Sequence, residues 1–203
     1  MLEWATAHMD PYALGEWSAV VLNLAYVLLA IFQSVLCWIV GLLGAGLSLV
    51  VYLHARLYAT AALQVVYMAL MVYGWYQWRH GGEKEGELRV SWAPTRWRMV
   101  LGAAGALLAA GLGFFLHSGT DGALPFWDAG VTSFSLVAQF MTTRKWLESW
   151  LLWIAVDAVY TGMMLSQDHG ILAAQYVAYL VLAVAGFLKW RRSLDAGPTG
   201  KAS

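Results

Sequence analysis

Residues 19–55 form a run of 37 positions without a single Asp, Glu, Lys or Arg. One helix of that length would reach about 55 Å at 1.5 Å per residue, nearly twice the hydrocarbon core of a bilayer. The run therefore requires two helices, and the polar pair Gln33-Ser34 marks the break between them, with spans at 18–32 and 35–56. The same reading places further spans at 58–78, 99–116, 126–143, 146–165 and 170–189, seven in all. The fifth has only fifteen uncharged residues, between Asp128 and Arg144, and Pro125 stands where its helix would start.

Composition agrees with a membrane chain. Hydrophobic residues make up 61% and charged residues 12%, the latter about half the share of a soluble domain. Twelve Lys+Arg against twelve Asp+Glu leave no basic excess for a phosphate backbone, which argues against a nucleic-acid partner. The one cysteine, Cys37, has no intrachain partner, and no Cys/His cluster has the spacing of a zinc site. No cofactor is implied. The acidic residues Glu3, Asp10 and Glu16 before the first span are the opposite of a signal peptide's basic start.

Loop charges set an orientation. With the N-terminus outside, the inner side holds eleven basic residues, from Arg79, Lys84, Arg89, Arg96 and Arg98 through Arg144 and Lys145 to Lys189, Arg191, Arg192 and Lys201. Arg56 alone is outside, and the bias predicts N-out, C-in, which needs an odd number of spans.

The charged stretch between Arg79 and Arg98 divides the chain into residues 1–78 with three spans, a loop and connecting fourth span at 79–123, and residues 124–203 with three more. Sliding the sequence along itself until Trp38 falls on Trp150 aligns the outer parts without a gap. In the same register Tyr67 falls on Tyr179, Gly74 on Gly186 and Trp78 on Trp190, with apolar identities between them. Because the fourth span restores direction, the two repeats run parallel, about an axis along the membrane normal, as in transporters built from parallel repeats.

Polar atoms enter the spans in stripes. Trp146, Trp150, Trp153, Asp157 and Tyr160 share about an 80° arc of the sixth helix, and Thr132, Ser135, Gln139 and Thr142 a similar arc of the fifth. The third contributes Thr60, Gln64 and Tyr67, the seventh Gln175 and Tyr179, and the first Asn23 and Tyr26. Such groups are costly in lipid and should face the interior or an aqueous cavity. Asp157 is the one acid near the middle of any span, with no mid-span Lys or Arg to pair with it. That makes it a candidate counter-ion for a cationic ligand; a protonated acid, or one hydrogen-bonded to Tyr160 or Gln139, is the alternative. Trp153, one turn away, suits a flat positively charged ring. Trp146, at the inner end, reads as an interfacial belt residue. The amides Gln139, Gln64 and Gln175 could bind hydroxyls or a carboxamide, or simply join helices. The small residues of the fourth helix, Gly102, Gly105, Gly111 and Gly113, suit close packing or oligomer contact, as do Gly44 and Ser48 in the second.

The segments LQVVYMALMVYGWYQW, residues 63–78, and SFSLVAQFMTTRKWLESWLLWIAVDAVY, residues 133–160, resemble the Pnu-type (PnuC-like) bacterial vitamin transporters. The second includes a WxxWxxxD/N pattern at Trp150, Trp153 and Asp157. The resemblance implies an all-α membrane protein of seven helices in a 3+1+3 arrangement related to the SWEET sugar transporters, and assembly as a homotrimer in the bacterial inner membrane. It also implies facilitated diffusion of an unphosphorylated vitamin, trapped after entry by a cytosolic kinase. Nicotinamide riboside comes first on family prevalence, with thiamine or another vitamin as alternatives. The binding residues so expected are Trp150, Trp153, Asp157, Tyr160, Gln139, Ser135, Gln64, Tyr67, Gln175 and Tyr179. An intramembrane hydrolase lacks its Ser/His pair, paired aspartates or HExxH helix. A retinal protein lacks its mid-helix lysine, Lys189 being at the helix end. A non-transporting assembly subunit is the remaining rival.

Overall fold

The computed structural model describes residues 11–56, 58–82, 86–119 and 124–196. Glu3 and Asp10 of the N-terminal segment, and Lys84 and Lys201 of the charge count above, lie outside them. Seven helices are present among the described residues: α1 Pro11–Ile31, α2 Leu36–His54, α3 Tyr58–His80, α4 Thr95–Gly119, α5 Pro125–Thr143, α6 Glu148–Ser166 and α7 Gly170–Asp195. By length and composition α2, α4, α6 and most of α7 are each apolar enough to cross a bilayer unaided. The helices α3 and α5 are not, because they bear the polar stripes of Thr60, Gln64, Ser135 and Gln139. Those side chains are lodged against protein, where lipid does not meet them.

Helices join through tight reversals. Gln33, Arg56, Lys145 and Asp168 all have positive φ, between 50° and 59°, the left-handed conformation that ends a helix and turns the chain. Gln33 donates its N–H to Ala30 O and Ser34 to Leu29 O; Lys145 donates to Thr142 O and Trp146 to Met141 O. The register that places Trp38 on Trp150 also places Gln33 on Lys145 and Arg56 on Asp168.

The packing repeats in the same register. Within α1–α3 each helix packs on the next, as each does within α5–α7. Between these groups the main contacts are α3 on α5 and α1 on α7, while α4 packs along α5. Trp38 and Trp78 meet edge to face at 5.1 Å and 89°, and Trp150 and Trp190 at 5.4 Å and 86°. Gly74 abuts the Trp38 ring and Gly186 the Trp150 ring, so closely that a Cβ on either would stand less than 3 Å from ring carbons.

At the end of the bundle where α1, α3, α5 and α7 finish, the basic residues collect. Here residues 86–94, outside any helix, cross the α5–α6 turn at Ser91. Ser91 N–H donates to Lys145 O, and Leu147 N–H donates to Ser91 O. Both Glu148 carboxylate oxygens accept from Ala93 N–H, at 3.0 and 3.2 Å, and Arg98 lies 3.5 Å from the same group. This non-local pairing corrects two expectations. Trp146 precedes α6 instead of opening it, held by its bridge to Ser91. Its ring is buried among Trp97 and Phe140 instead of lying in an interfacial belt.

On α4, Gly105 and Gly113 face α5, where a Cβ would touch Phe134 and Phe126. Gly102 and Gly111 meet nothing, and large side chains such as Leu107, Phe114 and Phe115 are exposed. On α2, Gly44 admits Asn23 of α1.

Candidate functional site

A cavity of about 410 Å³ opens among α1, α2, α3, α5, α6 and α7, within the 300–1,000 Å³ typical of small-molecule sites. Its wall takes Asn23 and Tyr26 from α1, Tyr52 from α2, and Thr60, Gln64, Tyr67 and Met71 from α3. Opposite stand Ser135, Gln139 and Thr142 of α5, Trp150, Trp153, Asp157 and Tyr160 of α6, and Tyr176 and Tyr179 of α7. The helical stripes converge because each polar face, excluded from lipid, finds the others.

Nine of the ten sequence-derived residues are on this wall. Gln175 is not among the lining residues; it lies one turn before Tyr179, beside that hydroxyl. The residues not singled out from sequence as binding groups are Asn23, Tyr26, Tyr52, Thr60, Met71, Thr142 and Tyr176. Of these, Tyr176 shares a face with Tyr179 at helical spacing, which was a usable signal. Tyr52 and Met71 follow no polar stripe and become visible only when the helices are packed.

Asp157 is 6% exposed, and among the described residues its carboxylate accepts no hydrogen bond and forms no ion pair. Gln139, a possible partner by sequence, is engaged elsewhere: Tyr26 donates to its Oε1 at 3.1 Å and its Nε2 donates back to Tyr26 Oη at 2.9 Å. Thr161 hydroxyl donates to the Asp157 backbone carbonyl, leaving the side chain to the cavity. Around the acid are rings. Tyr160 and Tyr176 stack at 4.5 Å and 6°, and Tyr176 contacts Tyr179. Trp153 is fixed by its indole N–H, which donates to Thr142 Oγ1 at 3.3 Å. A carboxyl group without a partner, ringed by aromatic faces, can as its carboxylate attract a flat cation by charge and by cation–π contact. The Tyr67 hydroxyl lies beside Ser135, with Gln64 on the same wall, a set of groups able to hydrogen-bond hydroxyls. Among the described residues no cluster of His, Cys, Asp and Glu has the grouping to hold a metal.

A family model described as nicotinamide mononucleotide transporter matches residues 13–192. The chain belongs to that family. It is similar to the nicotinamide riboside transporter PnuC of Escherichia coli, at 27% identity over 81% of this chain and 80% of the relative. It is similar at 31% identity to the riboflavin/roseoflavin transporter RibM of Streptomyces davaonensis, over 90% and 89%. The crystal structure of a vitamin B3 transporter PnuC superposes with a TM-score of 0.70 at 24% identity, covering 92% of this chain and 84% of that one. The transporter is thus an all-helical, multi-pass membrane protein with a PnuC-like fold.

Proposed function

We propose that the chain is a facilitative carrier for an unphosphorylated vitamin, with nicotinamide riboside as its first cargo. The observation that supports this most directly is the unpaired Asp157 carboxylate, set beside Trp153 and the Tyr160–Tyr176 stack in a cavity of nucleoside size. A pyridinium ring would stack there and neutralise the acid, while Gln64, Tyr67 and Ser135 meet the carboxamide and ribose and Gln139, held by Tyr26, shapes the wall behind them. Trp150 and Tyr179 complete the wall, with Gln175 holding Tyr179 from behind.

Two three-helix repeats, residues 1–78 and 124–203, are joined through the loop and fourth helix at 79–123 in a 3+1+3 arrangement. The reading draws on the indole pairs and the left-handed turns that coincide when one repeat is laid on the other. The basic end of the bundle is cytoplasmic, giving N-out, C-in in the bacterial inner membrane. The chain works as a homotrimer without enzymatic activity, and a cytosolic kinase traps the vitamin after entry. Thiamine, with its thiazolium charge, satisfies the same groups.

The similarity to a riboflavin transporter over nine-tenths of the chain favours a second reading. Riboflavin is uncharged and would use the tyrosine faces but not the Asp157 charge. Calorimetric titration of the purified protein with nicotinamide riboside, thiamine and riboflavin, followed by uptake of the binders into vesicles, tests the proposal. Binding of nicotinamide riboside with accumulation above empty vesicles is expected. Binding of riboflavin alone establishes the second reading, and accumulation of none of the three refutes transport of these vitamins.

A further inference from the structure

Below the cavity, toward the basic end, four indoles fill the bundle: Trp38, Trp78, Trp150 and Trp190, all buried. Two of them reach across between helix groups. Trp78 of α3 donates its Nε1–H to Thr142 O of α5, and Trp190 of α7 donates to Ala30 O of α1, both at 3.1 Å. The register that lays Trp78 on Trp190 also lays Ala30 on Thr142, so the two bonds are equivalent under the repeat. The other inner indoles, Trp38 and Trp150, donate to nothing among the described residues.

The acceptors explain why the bonds exist. Ala30 and Thr142 are each next to last in their helices, where carbonyls lack a full set of intrahelical donors. One lone pair takes the N–H of the left-handed residue, Gln33 or Lys145, and the indole supplies the second donor. Losing an indole N–H therefore leaves no orphaned carbonyl. These are bonds that can open at modest cost.

We propose that Trp78 and Trp190 are paired latches of the carrier's inner gate, holding the two helix groups together beneath the cargo. Their rings close the path as well as their bonds, facing one another at 5.8 Å. Cargo reaches both latches through residues of the cavity wall. Trp150 lines the cavity and packs edge to face on Trp190. Trp153 lines it too and donates to the hydroxyl of Thr142, whose carbonyl holds Trp78. A ring stacking on these indoles thus bears on both bonds at once, and release toward the basic end requires both to open. The gate rests on the transport reading above, but its opening is measurable without transport.

Cys37 is the chain's one cysteine, wholly buried in the same cluster as Trp38, Trp78 and Trp190. It is a native reporter of gate opening. Its reaction with a small maleimide, followed by mass spectrometry on the full chain in detergent, should be slow in the wild type. Trp78→Phe and Trp190→Phe should each quicken it about fivefold, and the double variant about 30-fold, as expected for losing one and two net hydrogen bonds. Trp92→Phe, an exposed indole at the same end, should label at the wild-type rate.

Folded variants that label no faster than wild type overturn the proposal. Loss of fold in both single variants overturns it equally, since it would make the indoles structural pillars instead of latches. If labelling behaves as expected but vesicles accumulate none of the three vitamins, the gate stands and the assigned cargo falls.

Discussion

Gly186 lies against the six-membered ring of Trp150, so that a Cβ built on the glycine would stand 2.6 Å from three ring carbons. Gly74 and Trp38 repeat the arrangement, with a closest approach of 2.4 Å. Neither ring can retreat, because each is edge-on to another buried indole. Gly186→Ala and Gly74→Ala should each cost about 1–3 kcal/mol by overpacking. Gly102 and Gly162, mid-helix with nothing near, should instead gain up to about 1 kcal/mol as alanine. Thermal unfolding in detergent checks this, and indistinguishable midpoints for the two classes would contradict the tight contact.

The paired glycines and tryptophans were legible in the sequence because residues 38–78 align with residues 150–190 without a gap, so identical residues fall on matching positions. The convergence of Asp157, Gln139 and Tyr67 was legible too, since polar side chains at helical spacing have one sheltered face to share. What escaped depends on distant partners. Trp146 continues the α6 pattern, yet Ser91, from the loop before α4, takes its backbone out of the helix. Tyr26 of α1 satisfies the Gln139 amide on α5, which periodicity alone leaves free for cargo. The latches are invisible for the same reason, their acceptors being backbone carbonyls that no side-chain pattern reports.

Asp157→Asn keeps the shape of the cavity wall and removes its charge. Affinity for nicotinamide riboside or thiamine should fall about tenfold or more, in line with a hydrogen-bonded charge contributing about 1.5–3 kcal/mol. Riboflavin affinity should change little. Calorimetry on the purified variant decides it, and an unchanged dissociation constant for the cationic vitamins would remove the carboxylate from recognition.

Tyr160 and Tyr176 hold each other parallel across α6 and α7. Tyr176→Leu should weaken binding of any aromatic vitamin about three- to tenfold, because an aromatic pair is worth about 0.5–1.5 kcal/mol beyond its area. Exposed Tyr76 on α3 offers the contrast: Tyr76→Leu should bind normally. Equal affinities in the two variants would show that the stack plays no part in the site.

Tyr26 and Gln139 bridge α1 and α5 by two reciprocal hydrogen bonds. Gln139→Leu removes the partner of the Tyr26 hydroxyl on the cavity wall and should destabilise by about 1 kcal/mol, whereas Tyr26→Phe strands the buried Gln139 amide and should cost about 1–3 kcal/mol. The double variant should recover part of that loss, because no polar group is then left unpaired. A double-mutant cycle on unfolding midpoints measures the coupling, and strictly additive losses would deny the bridge.

Lys145, in the α5–α6 turn, is buried with its ammonium 4.4 Å from the centre of the Trp78 ring. Burial pulls its pKa below the ordinary 10.5, outweighing the opposing pull of Glu87 and Cys37. The folded protein therefore gives up this proton at lower pH than the unfolded chain. Between the lowered value and 10.5 the unfolded state binds more protons, so stability climbs with rising pH across that window and is constant below it. Lys145→Met removes the buried charge together with a cation–π contact of about 1 kcal/mol. Since desolvation outweighs the favourable contacts, the variant should melt higher than wild type at pH 7, and the alkaline climb should flatten. Melting curves from pH 7 to 10 for both proteins test this. A variant that melts lower at pH 7 and keeps the climb would mean that the ammonium holds the basic end of the bundle together.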